Sequence, residues 1–134
     1  MAQRINEFRG KYSFLSNFYR FTDGPTVEHL YQAEKTLDPA LRARILLAGT
    51  PAKAKSMGKN VPLRKNWDKK KLKIMESLVT VKFTRFSKME ELLIKTGDAE
   101  LIEGNWWGDT FWGVYDGIGE NHLGKIIMKI REKL

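Results

Sequence analysis

The chain reads as a mainly helical α+β domain with a small β-sheet, and three observations lead there. Apolar residues recur at three- and four-residue steps in several segments, proline and glycine mark clear starts and stops, and only short stretches carry strand character. At 134 residues the chain is long enough for one hydrophobic core and short for two, so we expect a single domain over 1–134.

Residues 4–8 and 18–21 are the first strand candidates, each rich in aromatic or branched residues. A helix through 26–36 follows. Asp38-Pro39 is an N-cap with proline at the first helical position, and Gly49 is expected to end that helix in the left-handed conformation. Thr50-Pro51 opens the next helix by the same device and Gly58 closes it. A longer helix over 66–83 buries Met75, Leu78, Val79 and Phe83 as one stripe. Ser87 and Glu90 have capping-box spacing ahead of Met89, Leu92 and Leu93, with Gly97 as the stop. Residues 101–103 and 110–114 complete the strand candidates. The last helix begins at Asn121 and is expected to bury Leu123, Ile126, Ile127, Ile130 and Leu134.

Composition narrows the chemistry. An apolar fraction of 42% and a charged fraction of 30% are those of an ordinary soluble protein. There is no cysteine, which excludes disulfides, thiolate metal sites and a cysteine nucleophile. No apolar run approaches the roughly 20 residues that span a bilayer, and the first residues lack the apolar stretch of a signal peptide. We therefore expect a cytoplasmic protein with no membrane partner. The net charge of +8 points to an anionic partner. Eleven Lys or Arg lie between Arg42 and Lys73 against one acid, Asp68. That run is either a solvated face or a surface for phosphate or nucleic acid.

Three segments could carry chemistry. Glu28, Gln32 and Lys35 fall on one helix face, with Tyr31 at its edge: a surface salt-bridge ladder, or a carboxylate and an amine aimed into a cleft. The stretch from Glu103 to Gly113 holds three tryptophans, Trp106, Trp107 and Trp112, among glycines and the carboxylates of Glu103 and Asp109. It fits an aromatic core cluster or a pocket in which rings stack on a base while a carboxylate faces the sugar. The Gly-rich loop over 117–124, containing Gly119 and Asn121, runs into a helix N-terminus, where backbone N–H groups suit phosphate. His29 and His122 are too few and too far apart to suggest a metal.

Ordered motifs along nearly the whole chain resemble the NADAR superfamily, which includes the YbiA-like N-glycosidases. They are Phe14-Leu15-Ser16-Asn17-Phe18, then Glu28-His29-Leu30-Tyr31-Gln32-Ala33-Glu34-Lys35, then Gly58 and Arg64 ahead of Trp67-Asp68. Met75, Lys82-Phe83, Leu92-Leu93 with Thr96-Gly97, Asp109 with Trp112-Gly113, and Gly119, Asn121, Leu123-Gly124, Met128 and Arg131 continue the match. The resemblance implies hydrolysis of an N-glycosidic bond. The substrate would be a phosphoribosylated pyrimidine intermediate of riboflavin synthesis, or ADP-ribose attached to guanine in nucleic acid. It implies functional roles for the carboxylates Glu28 and Asp109, for Trp67 and for Lys35. Asn17 and Gln32, within matched motifs, are expected to touch substrate.

Cleaving a ribosyl C–N bond builds positive charge on the sugar, so the site needs a carboxylate near the anomeric carbon and an oriented water. We expect Glu28 to handle the water or a hydroxyl proton and Asp109 to stabilise the developing charge, or the two to exchange roles. Trp67, or Trp106 and Trp107, would stack on base or sugar. Lys35 either binds phosphate or forms a Schiff base with an opened ribose. Arg9, Arg64 and the loop over 119–124 are the phosphate candidates. No metal or redox cofactor is required. The competing readings are a non-catalytic ADP-ribose-binding module and a basic nucleic-acid-binding protein.

Overall fold

A computed structural model describes residues 3–134. The chain divides into two compact units, one formed by residues 3–16 with Val79–Leu134 and the other by Asn17–Leu78. The fold class is α+β as expected, with helices dominant and the strands very short.

The unit Asn17–Leu78 is helical. Its α1 (Val27–Glu34) packs on both α2 (Pro39–Leu46) and α3 (Pro51–Gly58), and the buried Ala33, Ile45 and Ala54 meet at the centre. Local chemistry starts each helix. Asp38 accepts the N–H groups of Ala40 and Leu41, and Thr50 accepts that of Lys53. At α1 the cap is a reciprocal pair: Thr26 Oγ1 accepts the His29 N–H at 3.3 Å, while the Thr26 N–H donates to His29 Nδ1 at 3.2 Å. An accepting Nδ1 puts the ring proton on Nε2, which then donates to Ala48 O at 2.9 Å. His29, 1% exposed, therefore ties α1 to the segment after α2.

Helix α4 (Trp67–Thr84) begins in this unit, after Asn66 in the left-handed region, and passes into the other between Leu78 and Val79. Met75, Val79 and Phe83 of its expected stripe are buried, while Leu78 is half-buried.

In the other unit, β1 (Arg4–Ile5) pairs in parallel with β2 (Glu100–Leu101), and β3 (Gly104–Asn105) pairs in parallel with β4 (Val114–Tyr115). A 3-10 helix (Gly10–Leu15) packs on α5 (Ser87–Ile94), and α6 (His122–Glu132) packs on β2. Arg131 fastens α6 to the loop ahead of β2, donating to Thr96 Oγ1 at 2.9 Å and Ala99 O at 2.8 Å.

Several expectations need correction. Residues 18–21 form turn and bend rather than strand. The strand expected over 4–8 ends at Ile5, and that over 101–103 starts one residue earlier and stops at Leu101. The strand expected over 110–114 is a turn up to Gly113, because Asp109 Oδ1 takes the N–H groups of Phe111 and Trp112 that a ladder would need. Two separate ladders stand in place of one sheet. Gly49, expected to be left-handed, is not, whereas Gly97, expected as a helix stop, is left-handed. Phe86 rather than Ser87 is the N-cap of α5, and no side chain caps that end. Ile130 is buried, but Leu134 lies beyond the last helical turn and is 43% exposed.

Candidate active site

Helix α1 brings together the residues expected from its spacing. Glu28 is 8% exposed and accepts a hydrogen bond from Gln32 Nε2 at 2.5 Å, one turn along the same face. Asn17, also buried, holds the start of that face, since its carbonyl accepts the Glu28 N–H at 3.0 Å. Its side-chain amide points to Met75 Sδ at 3.5 Å. Gln32 Oε1 is buried without a hydrogen-bond partner and lies against Gly58, where any Cβ would overlap it. A glutamine fixed this way presents its NH2 group to the Glu28 carboxylate.

Lys35 closes the same face at the C-cap of α1, half-buried, with its ammonium 5.8 Å from the Tyr31 ring centroid. Burial holds its pKa below the ordinary lysine value. The Glu28 carboxylate opposes that shift, and the ammoniums of Lys55, Lys59 and Lys71 add to it. An amine poised in this way exchanges its proton more readily and reaches the nucleophilic neutral form at lower pH.

Trp67 sits at the first turn of α4, 6% exposed, with its ring centroid 5.3 Å from that of Tyr31. It therefore backs Tyr31 instead of offering an open face. Arg64 is likewise held by protein: its Nη1 donates to Glu34 Oε1 at 3.0 Å and Glu34 O at 3.2 Å, and its N–H donates to Lys35 O at 2.6 Å. Arg42 binds the other oxygen of Glu34 at 2.8 Å. This bridge fixes the end of α1 that carries Lys35.

In the other unit, Asp109 organises a loop. Its Oδ1 caps Phe111 and Trp112, its N–H donates to Asn105 Oδ1 at 3.0 Å, and its carbonyl accepts from Asn105 Nδ2 at 2.8 Å. Asn105 Nδ2 also reaches Glu103 Oε2 at 3.2 Å, and the absence of a side chain at Gly113 leaves room for that carboxylate. Trp106 and Trp107, at the loop tip, are 73% and 47% exposed and meet edge to face at 5.4 Å. Trp106 lines an open groove of about 560 Å³ with Asn6, Glu7, Glu100, Asn105 and Asp116. Arg9 is exposed at the start of the 3-10 helix.

In the Gly-rich loop, four successive backbone donors are engaged within the protein. The N–H groups of Glu120, Asn121, His122 and Leu123 donate to the carbonyls of Thr110, Gly113, Phe111 and Trp112 respectively. Gly119, at φ +155, passes so close to the Gly113 carbonyl that a Cβ would overlap it. The Asn121 amide accepts from the Glu103 N–H and donates to Leu101 O, both at 2.9 Å. These contacts join the loop to β2 and to the Asp109 turn.

One titratable residue stands out to which sequence reasoning assigned no role beyond its place in the Lys82-Phe83 motif. Lys82 on α4 is 1% exposed, and burial lowers its pKa to about 7. Its Nζ donates to Ser16 O at 2.8 Å and lies 4.9 Å from the Phe83 centroid. A lysine beside phenylalanine on a long helix reads as solvated, so only the fold reveals it.

The family comparison agrees with these motifs. The NADAR domain model matches residues 5–134. N-glycosidase YbiA of Shigella boydii is 38% identical over 132 residues, covering 92% of this chain and 82% of that protein. An N-glycosidase of Nostoc punctiforme is 42% identical over 115 residues, 81% of this chain and 73% of that one. A riboflavin biosynthesis protein of Vibrio vulnificus is 36% identical over 92% of this chain, which spans 36% of that protein. The NMR structure of Escherichia coli YbiA superposes with a TM-score of 0.83 at 34% identity, over 99% of this chain and 86% of that one. Sequence motifs, family model and fold agree, and the chain belongs to the NADAR domain family.

Proposed function

We propose that this chain is an N-glycosidase that hydrolyses the bond between C1′ of a phosphorylated ribose and a nitrogenous base, with a phosphoribosylaminopyrimidine as its substrate. Its relatives named as N-glycosidases and riboflavin biosynthesis proteins support that reading. The observation that carries it is the half-buried Lys35 with its lowered pKa, on the face of α1 where Gln32 orients the buried Glu28.

A ribose joined through an exocyclic amine can open to an imine at C1. The neutral Lys35 amine adds to that carbon and expels the base as a free amine, leaving a Schiff base between C1 and Nζ. Water then adds at C1, the C–N bond to Lys35 breaks, and the aldehyde sugar leaves as ribose phosphate with the lysine restored. Glu28 accepts a proton from the attacking water and returns it to the departing nitrogen. Asp109, in the other unit, organises the turn next to the exposed Trp106 and Trp107.

Turnover of the phosphoribosylaminopyrimidine, beside a DNA oligonucleotide carrying ADP-ribosyl-guanine, tests the substrate. Borohydride trapping tests the intermediate. Release of ribose 5-phosphate with a trapped adduct that disappears in Lys35→Met is the expected result, and Glu28→Gln should lower turnover by about 100-fold or more. Release of ADP-ribose from the oligonucleotide alone would move the substrate to modified nucleic acid. Undiminished turnover in Lys35→Met would overturn the lysine mechanism.

A further inference from the structure

The basic run between Arg42 and Lys73 is not uniform once folded. Lys53, Lys59, Lys65, Lys69, Lys70 and Lys73 are exposed. Lys55 and Lys71 are half-buried, and both, with Lys59, lie close enough to Lys35 to act on its charge.

Packing explains why these three converge. Gly58 seats the end of α3 on Gln32, one turn before Lys35, so Lys59 emerges beside that contact and Lys55 lies one turn earlier on α3. Trp67 seats the start of α4 on Tyr31, again one turn before Lys35, and Lys71 follows Trp67 by one turn. Lys55 Nζ lies 5.9 Å from the Phe18 centroid, and Lys71 pairs with Asp68 at 3.4 Å with its own side chain 24% exposed. Lysines gathered round one another repel, and a dianion among them removes that cost. The arginine forks nearby, Arg42 and Arg64, are already on Glu34.

We propose that Lys55, Lys59 and Lys71 form a phosphate subsite beside Lys35, one that holds the phosphomonoester of the sugar while Lys35 acts at C1. The chemistry of the substrate fits this division, since C1 and the 5-phosphate are opposite ends of one five-carbon sugar. Lysines suit the task as point charges that follow a rotating phosphate. The proposal rests on the N-glycosidase reading for its substrate, but anion binding is measurable without turnover.

Calorimetric titration of the full chain with ribose 5-phosphate, ribose, ADP-ribose and a single-stranded oligonucleotide distinguishes a monoester from a diphosphate and from a nucleic-acid backbone. Ribose 5-phosphate should bind and ribose should not. Lys59→Gln/Lys71→Gln should weaken the sugar phosphate by about tenfold or more, whereas Lys69→Gln/Lys73→Gln should leave it within about twofold. This pattern would support the subsite even if the chain turned over neither N-glycoside. Equal weakening by both double variants would show a diffuse surface charge and overturn it. So would selective loss of ADP-ribose or oligonucleotide binding with ribose 5-phosphate unchanged.

Discussion

The Cα of Gly58 lies against the Gln32 amide, so a methyl group there would overlap Oε1 and approach Cδ to 2.7 Å. Gln32 must then move, and its bond to Glu28 goes with it. Gly58→Ala is expected to destabilise the chain by about 1–3 kcal/mol, the range for overpacking a filled site, and to lower turnover. Paired thermal melts and rate measurements check this, and a variant equal to the parent in both would remove the account. The Glu28, Gln32 and Lys35 face was legible in the sequence because helix spacing is local. The fate of Arg64 was not, because its partner Glu34 lies 30 positions away and only folding joins them.

Among the elements, the two helices opened by a capping residue and a proline were read correctly, whereas the capping-box spacing of Ser87 and Glu90 misplaced the start of α5. Asp38-Pro39 and Thr50-Pro51 begin α2 and α3 because cap and proline act within three residues. The strands were read poorly for the converse reason. Each ladder is two residues long, and β1 meets β2 across most of the chain, so the pairing is set by tertiary contact and not by alternation. The α1 cap was missed because His29, not Glu or Gln, completes its box. That cap carries a prediction. Thr26 is fully buried and its hydroxyl contacts both the His29 N–H and Nδ1. Thr26→Ala should cost about 1–2 kcal/mol in urea unfolding. Since α1 carries Glu28 and Lys35, ribose 5-phosphate release should fall with it. An unchanged unfolding midpoint would show that packing alone sets the start of α1.

Across the whole molecule, the excess of positive charge was legible, but its division between half-buried and exposed lysines was not, because burial depends on which helices pack together. Lys82 is the extreme case, and it couples stability to pH. Burial lowers its pKa from the ordinary 10.5 to about 7 in the folded chain, so between those values the unfolded state binds more protons than the folded one. Stability from this group therefore rises with pH from about 7 toward 10.5. Its full cost is present below pH 7, where the buried ammonium must be carried by the fold. Near the middle of that window the slope approaches about 1.4 kcal/mol per pH unit, the value for one proton. Lys82→Met has no proton to release and should lack this component. Urea unfolding of parent and variant at pH 7, 8, 9 and 10 should then give two curves that draw together as pH rises, the variant having gained most at neutral pH. Parallel curves across the window would mean that Lys82 keeps an ordinary lysine pKa, with its Ser16 hydrogen bond supporting a fully charged ammonium.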